Sequence, residues 1–213
     1  MPAPFIPLSS LRQILAERYP QAMRPAARAL ATGLAAIDGP AGGLPCGALT
    51  EIVCAAPSCG GQLLLGELLR AVCEAPGRAA LVDAHDSFDP QSWPDDLLAH
   101  LVWARCGDTA MALRTADIFA RDANFALVAI DLSRAPLAEL RRTPAPFWYR
   151  LQRAAETADL PLAVLTPRAA VPSAKVRLQL ERAHGLDALA ELRRALAPRL
   201  APAVQRRRME AIA

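Results

Sequence analysis

Lysine is nearly absent from this chain: among 24 basic residues in 213, Lys175 is the one lysine. Together with nineteen prolines against eleven glycines, that imbalance reads as an Ala/Arg/Pro-biased coding sequence and carries no function by itself. Cysteine is sparse too. Cys46, Cys54, Cys59, Cys73 and Cys106 are odd in number and contain no CxxC pair, which argues against a disulfide framework or a zinc site and fits a reducing cytoplasm. His85, His100 and His184 lack ligand spacing such as HxxxH, and no serine sits in a nucleophile-elbow signature, so metal and hydrolase readings are weak. Long apolar runs are missing. The uncharged stretch 52–66 is too short for a bilayer span and is broken by Pro57 and paired glycines, while Arg12, Glu17 and Arg18 interrupt any secretory leader. The expectation is a cytoplasmic protein that does not enter a membrane.

What is present suits one domain with a sizeable core. Hydrophobic residues make up 53% of the chain and the mean hydropathy is +0.18, values outside the range of disordered sequences. The net charge of +3 conceals a division. Residues 1–133 carry nine arginines against fourteen acids, whereas residues 134–213 carry fifteen basic residues against seven acids. A basic face of that kind either contacts nucleic acid or an acidic partner, or is simply solvated surface.

Periodicity predicts alternating strands and helices. Residues 8–20 read as a short amphipathic helix with Leu11, Ile14 and Leu15 on one face and Pro20 as its stop, followed by linker over 25–31. A turn is expected in DGPAGGLPCG, then a strand over 48–54, a Gly-rich turn, a helix over 61–74 and a strand over 79–83. Further strands are expected at 101–104, 125–131, 160–166 and 175–181, with helices over 109–121 and 147–158. Such alternation indicates an α/β fold with a mostly parallel sheet covered by helices on both faces.

The stretch EIVCAAPSCGGQLLLGELL has the layout of a strand, a phosphate-binding loop and a helix. In GxxxxGK[ST] the backbone amides cradle phosphate, the lysine neutralises terminal charge and the hydroxyl holds Mg²⁺. Laid on that pattern, Ala55 opens the loop, Ala56, Pro57, Ser58 and Cys59 fill it and Gly60 closes it. Gly61 then stands where the lysine belongs and Gln62 where the hydroxyl belongs. Neither Lys175, in a distant expected strand, nor Arg70, about two turns along the helix, is placed to substitute.

Residues 31–61, LVDAHDSFDP (81–90), FALVAIDLS (125–133) and AKVRLQL (174–180) follow one another in the order of the landmarks of a RecA core. The chain over about 31–182 therefore resembles the RecA-like P-loop NTPase superfamily, and within it the shorter ImuA-type accessory proteins of bacterial SOS translesion synthesis. The resemblance implies a RecA-like core over 31–183, an N-terminal helix and linker over 1–30 that serves as an oligomerisation arm, and a basic C-terminal helix and tail over 184–213. It also implies partners, namely an ImuB-type polymerase-like protein and RecA. Asp131 matches the Walker B acid, or else is an ordinary strand-end acid meeting solvent. His85 occupies the position of the glutamate that orients the attacking water, with Asp86 beside it. The segment RAAVPSA after the next strand leaves almost nothing of the second DNA-binding loop.

Several residues carry two readings each. Cys59, at a helix N-terminus, is either a thiol of lowered pKa or a small buried hydrophobe. Phe147, Trp148 and Tyr149 either stack on bases or anchor the core, and Trp93 covers an adenine site or packs its loop. In the tail, Leu186, Leu189, Leu192 and Leu196 form an apolar stripe opposite Arg193, Arg194 and Arg199, broken by Pro198 and Pro202. That stripe packs on its own core or lies in a partner's groove. Three functions follow from these residues. The favoured one is a non-catalytic scaffold with no required cofactor, weak ATP binding through the remaining loop amides being compatible with it. The others are a divergent ATPase using Asp86 and Asp131, and a DNA binder; Arg193, Arg194, Arg206, Arg207 and Arg208 are the expected contacts, to the protein partner in the scaffold reading and to DNA in the last.

Overall fold

The expected β-type runs become strands because nearly every side chain in them finds a helix-covered face. The computed structural model describes residues 28–75 and 77–207, so the helix expected over 8–20 and the Arg208 candidate lie outside the described residues. A short antiparallel pair, β1 (Ala29–Leu30) and β2 (Leu44–Pro45), brackets helix α1 (Ala35–Ala41). The main sheet contains β3 (Ala48–Cys54), β4 (Ala79–Asp83), β5 (Leu101–Arg105), β6 (Leu127–Asp131), β7 (Pro161–Thr166), β8 (Val176–Leu180) and β9 (Ala203–Arg207). Their spatial order is β5-β4-β6-β7-β3-β8-β9, all parallel except β9, which runs antiparallel to β8. This is an α/β architecture, and Ala29–Arg208 form one compact unit.

Two cores lie on opposite faces of the sheet. Strand alternation sends Ile52, Leu81, Ala129 and Leu165 to one face, against α1 and against α2 (Gly61–Glu74). It sends Leu49, Val82, Ile130 and Val164 to the other, against α4 (Thr109–Phe119) and α6 (Ala145–Ala158). Two shorter helices complete this part of the chain, α3 (Asp95–Leu98) and α5 (Leu137–Arg142). In β8 the alternation leaves Val176, Leu178 and Leu180 buried and Arg177 and Gln179 half-buried, the pattern its sequence predicts.

Besides β1, which falls inside the expected linker, and α3 and α5, which periodicity does not predict, two segments differ from the sequence reading. The turn expected in DGPAGGLPCG is partly helix, because the Asp38 carboxylate accepts bonds from the Thr32 and Gly33 amides and Ile37 and Ala41 reach the core. Pro40 falls in the last turn of α1, and Gly42 ends the helix with a left-handed φ of 68°. The tail does not end as a free basic peptide over 203–207: a 3₁₀ turn (Leu186–Ala190), helix α7 (Arg193–Leu196) and a second 3₁₀ turn (Ala197–Arg199) lead into β9. Ala197 and Leu200 are buried in the main core and Leu196 is buried beside them in sequence, while Leu186, Leu189 and Leu192 point outward at 86%, 83% and 62% exposure. The leucines thus form no single stripe, since the break at Glu191 resets the helical phase. Phe147–Tyr149 divide as a helix requires, with Trp148 fully buried, Phe147 half-buried beneath the Arg150 guanidinium and Tyr149 exposed.

Candidate functional site

The candidate site lies at the carboxyl ends of β3 and β6. Between β3 and α2 the chain turns through residues 55–60, with Ser58 at φ 56° and Gly60 at φ 89°, both left-handed. Ala55, Pro57 and Ser58 are exposed, Cys59 is buried, and Gly60, Gly61 and Gln62 are half-buried at the start of α2. The C-terminal segment is fastened to this turn. The Ala55 amide donates to Leu180 O at 3.2 Å and the His184 amide to Ser58 O at 2.9 Å. A Cβ on Gly60 would collide with Leu200 Cδ2, and the His184 ring lies 3.3 Å from the same point. The space in front of Gly60 is therefore already occupied by the protein's own side chains.

The next two positions are also committed inward. A Cβ on Gly61 would stand 2.7 Å from Cys54 Sγ, so any side chain there must displace the sulfur. Gln62 Nε2 donates to Asp131 Oδ2 at 2.6 Å. Asp131 Oδ2 is also 2.8 Å from the Ser87 hydroxyl, and Asp131 Oδ1 accepts the Ser133 amide at 2.9 Å. Next to it in register, Asp83 accepts the amides of Ser87 and Phe88 at 3.0 and 2.9 Å. The Ser87 hydroxyl lies 3.1 Å from Asp83 Oδ1, between the two buried carboxylates, and its single proton serves one of them at a time. Every Asp131 oxygen thus has an internal donor, which is how a buried carboxylate is normally satisfied.

Cys54 and Cys59 face each other across the turn. A hydrogen bond from the Cys54 thiol, reinforced by the amides of Gly61, Ala56 and Cys59, lowers the Cys59 pKa to about 6. The same pairing, with burial, pushes the Cys54 thiol far above the ordinary range. Of the two sequence readings, a lowered thiol and a small buried hydrophobe, Cys59 has features of both, being buried with a lowered pKa, and the sequence gives no sign that Cys54 is its partner.

The remaining candidates scatter. Half-buried His85 brings Nε2 to 3.5 Å from Glu139 Oε2, ion-pair distance without hydrogen-bond geometry. Asp86, at φ 53°, makes a bidentate pair with Arg105 at 2.8 and 2.7 Å and no hydrogen bond to the Asp131 network. Arg70 pairs with Glu67 on its own helix. Arg193 stacks on Trp93 at 4.3 Å, Arg194 is exposed, and Arg206 reaches Pro172 O at 3.4 Å on the edge strand, where Arg207 follows it. Trp93 packs over α2, where a Cβ on Gly66 would strike its indole. Among the described residues no cluster of His, Cys, Asp or Glu could hold a metal ion, and no helix is long and apolar enough to cross a membrane.

Sequence reasoning missed Ser87, Asp83 and Glu51. The first two are signalled only by adjacent parallel strands that both end in aspartate. Glu51 is fully buried in β3. It accepts from Thr166 Oγ1 at 3.1 Å and from the Ala170 and Val171 amides at 2.5 and 3.0 Å, and it pairs with Arg177 Nε at 2.6 Å. It ties down the short segment after β7.

A cavity of about 950 Å³ opens over the turn, rimmed by Arg134, Pro167, His184, Leu189 and Arg193. The residues present do not fit a Mg²⁺–triphosphate. No ammonium group is supplied, the hydroxyl position carries an amide, and the acid that would hold the cation is bonded to that amide. What fold and site define is an α/β protein, its central sheet mostly parallel, with a strand–turn–helix element closed by its own C-terminal segment. No family model matches this chain, and no curated protein sequence matches it.

Proposed function

We propose that this chain is a RecA-like accessory protein of the ImuA type. In this reading it is a non-catalytic scaffold that recruits a polymerase-like partner in SOS-induced translesion synthesis, in the cytoplasm. The order of the four RecA-like segments supports the family, and the parallel sheet with Asp131 at the end of a central strand is compatible with it. One observation carries the non-catalytic part: the Gln62 amide occupies the Asp131 oxygen that a metal-bound hydroxyl would face in an active loop. A missing lysine alone removes several kcal/mol of charge stabilisation from phosphoryl transfer, on the order of a thousandfold or more in rate. The 950 Å³ cavity leaves room for weak nucleotide binding without turnover.

Titration of the purified chain with an ATP analogue, with and without Mg²⁺, and a turnover assay test this reading. The expected result is weak or no binding, indifferent to Mg²⁺, and no hydrolysis above blank. Mg²⁺-dependent hydrolysis lost in Asp131→Ala would overturn it. Co-purification of the full chain with an ImuB-type protein or RecA is the positive outcome for the scaffold role.

A further inference from the structure

Beyond the turn, the carboxyl ends of β3, β6 and β7 open into a second depression. Two confluent cavities of about 660 and 350 Å³ share Leu137, Arg168 and Ala169. Their charge is of one sign. Arg134, Arg141 and Arg168 line them and are exposed, none of the three guanidinium groups makes a side-chain hydrogen bond or ion pair among the described residues, and no carboxylate of the described residues lies in either wall. Between the arginines the wall mixes Leu137, at 42% exposure and flanked by Pro136 and Pro167, with the polar side chains of Ser133, Thr143 and Gln179.

The backbone bearing these cations is held firmly. The segment with Arg168 leads to Ala170 and Val171, both bonded to buried Glu51, whose charge is balanced by Arg177. The segment with Arg134 is pinned by the Ser133 amide on Asp131 and by the Ala135 amide on Leu132 O. With that backbone held, ordering on binding is confined to the guanidinium side chains themselves, which a two-pronged pair with a carboxylate offsets.

We propose that this cleft docks a short acidic segment of a protein partner, one in which Asp or Glu alternates with large apolar side chains. The carboxylates meet Arg134, Arg141 and Arg168 in two-pronged pairs, and an apolar side chain covers Leu137. The proposal deepens the scaffold reading, on which it rests, by giving the chemistry of the recruited partner. A single-stranded nucleic acid is the weaker fit. Such ligands are held by exposed aromatic platforms, and the one aromatic in the walls, Trp148, is 1% exposed.

A phage-displayed random heptapeptide library, panned on the full chain and counter-selected on Arg134→Glu/Arg168→Glu, tests the cleft. The expected outcome is enrichment of heptamers with at least two acids and one large apolar residue. A synthetic peptide of the enriched sequence should bind the double variant about tenfold or more weakly than wild type, and Arg141→Ala should weaken it less. Should the charge reversals unfold the chain, seen as a lowered Tm, Arg168→Gln replaces them with the same expected direction. No acidic enrichment, or equal binding to wild type and variant, would overturn the proposal. Displacement of the peptide by a tighter-binding oligo-dT would also overturn it and reassign the cleft to nucleic acid. ATP hydrolysis alongside the expected selection would sink the pseudo-ATPase reading and leave the cleft standing.

Discussion

At residue 61 the question is one of room as well as charge. Glycine stands there with Cys54 Sγ against it, and Cys54 in turn serves Cys59. The thiol pair makes a pH-dependent outcome explicit. Cys59 is an acid with a lowered pKa, so its thiolate is populated above about pH 6 and its reactivity is lost as pH falls through that value. Alkylation of Cys59 by iodoacetamide, followed by mass spectrometry, should show a midpoint near pH 6. In Cys54→Ala the midpoint should move up toward the ordinary thiol range, because the leading stabiliser of the thiolate is gone. An unchanged midpoint would mean the backbone amides suffice. The pairing was illegible in sequence because Cys54 ends a strand, and which way a strand-end side chain points depends on the sheet around it. The strand–turn–helix over 48–74 was legible, since it rests on residue types at fixed spacing.

Among elements, β3 holds the largest surprise. A central strand with helices on both faces should be uniformly apolar, yet it buries Glu51. That carboxylate satisfies two loop amides and a hydroxyl and balances Arg177, so it replaces, for the segment after β7, the hydrogen bonds that a longer loop would make within itself. Glu51→Gln should destabilise the fold by about 3 kcal/mol, read from urea unfolding, because Arg177 is left without its counter-charge in a mostly buried position. A loss below about 1 kcal/mol would show that Arg177 finds solvent instead. The longer strands and helices expected between 48 and 166, with the strand at 176–180, follow closely from periodicity, whereas α1, α3, α5 and β9 do not. Helix α1 depends on Asp38 reaching back to Thr32, and β9 depends on an open edge at β8. Neither signal is periodic, and both are contacts between segments.

Across the whole molecule, the C-terminal segment belongs to the core. Ala197 and Leu200 are buried in it, Leu196 is buried as well, and β9 completes the sheet. Truncation after residue 182 should therefore cost at least about 4 kcal/mol, from two buried leucines at about 1.5–3 kcal/mol each together with the edge pairing. Thermal melting and limited proteolysis would check it. A truncated chain melting like the full one would make the segment a dispensable appendage. The division of charge along the chain was visible in sequence, but its use was not. Arg193, Arg199 and Arg206 are occupied by Trp93, Glu191 and Pro172, while the side chains of Arg134, Arg141 and Arg168 have no partner among the described residues. Distinguishing a spent cation from a vacant one requires coordinates.

The interlocking of Cys54, Gly61, Gln62 and Leu200 also sets how far this turn stands from a working phosphate cradle. A lysine at 61 would have to evict a sulfur, a threonine at 62 would strip an oxygen of its donor, and Leu200 would still bar the approach. Each repair taken alone weakens the fold before it offers anything to a ligand. A route back by single substitutions therefore runs uphill at every first step.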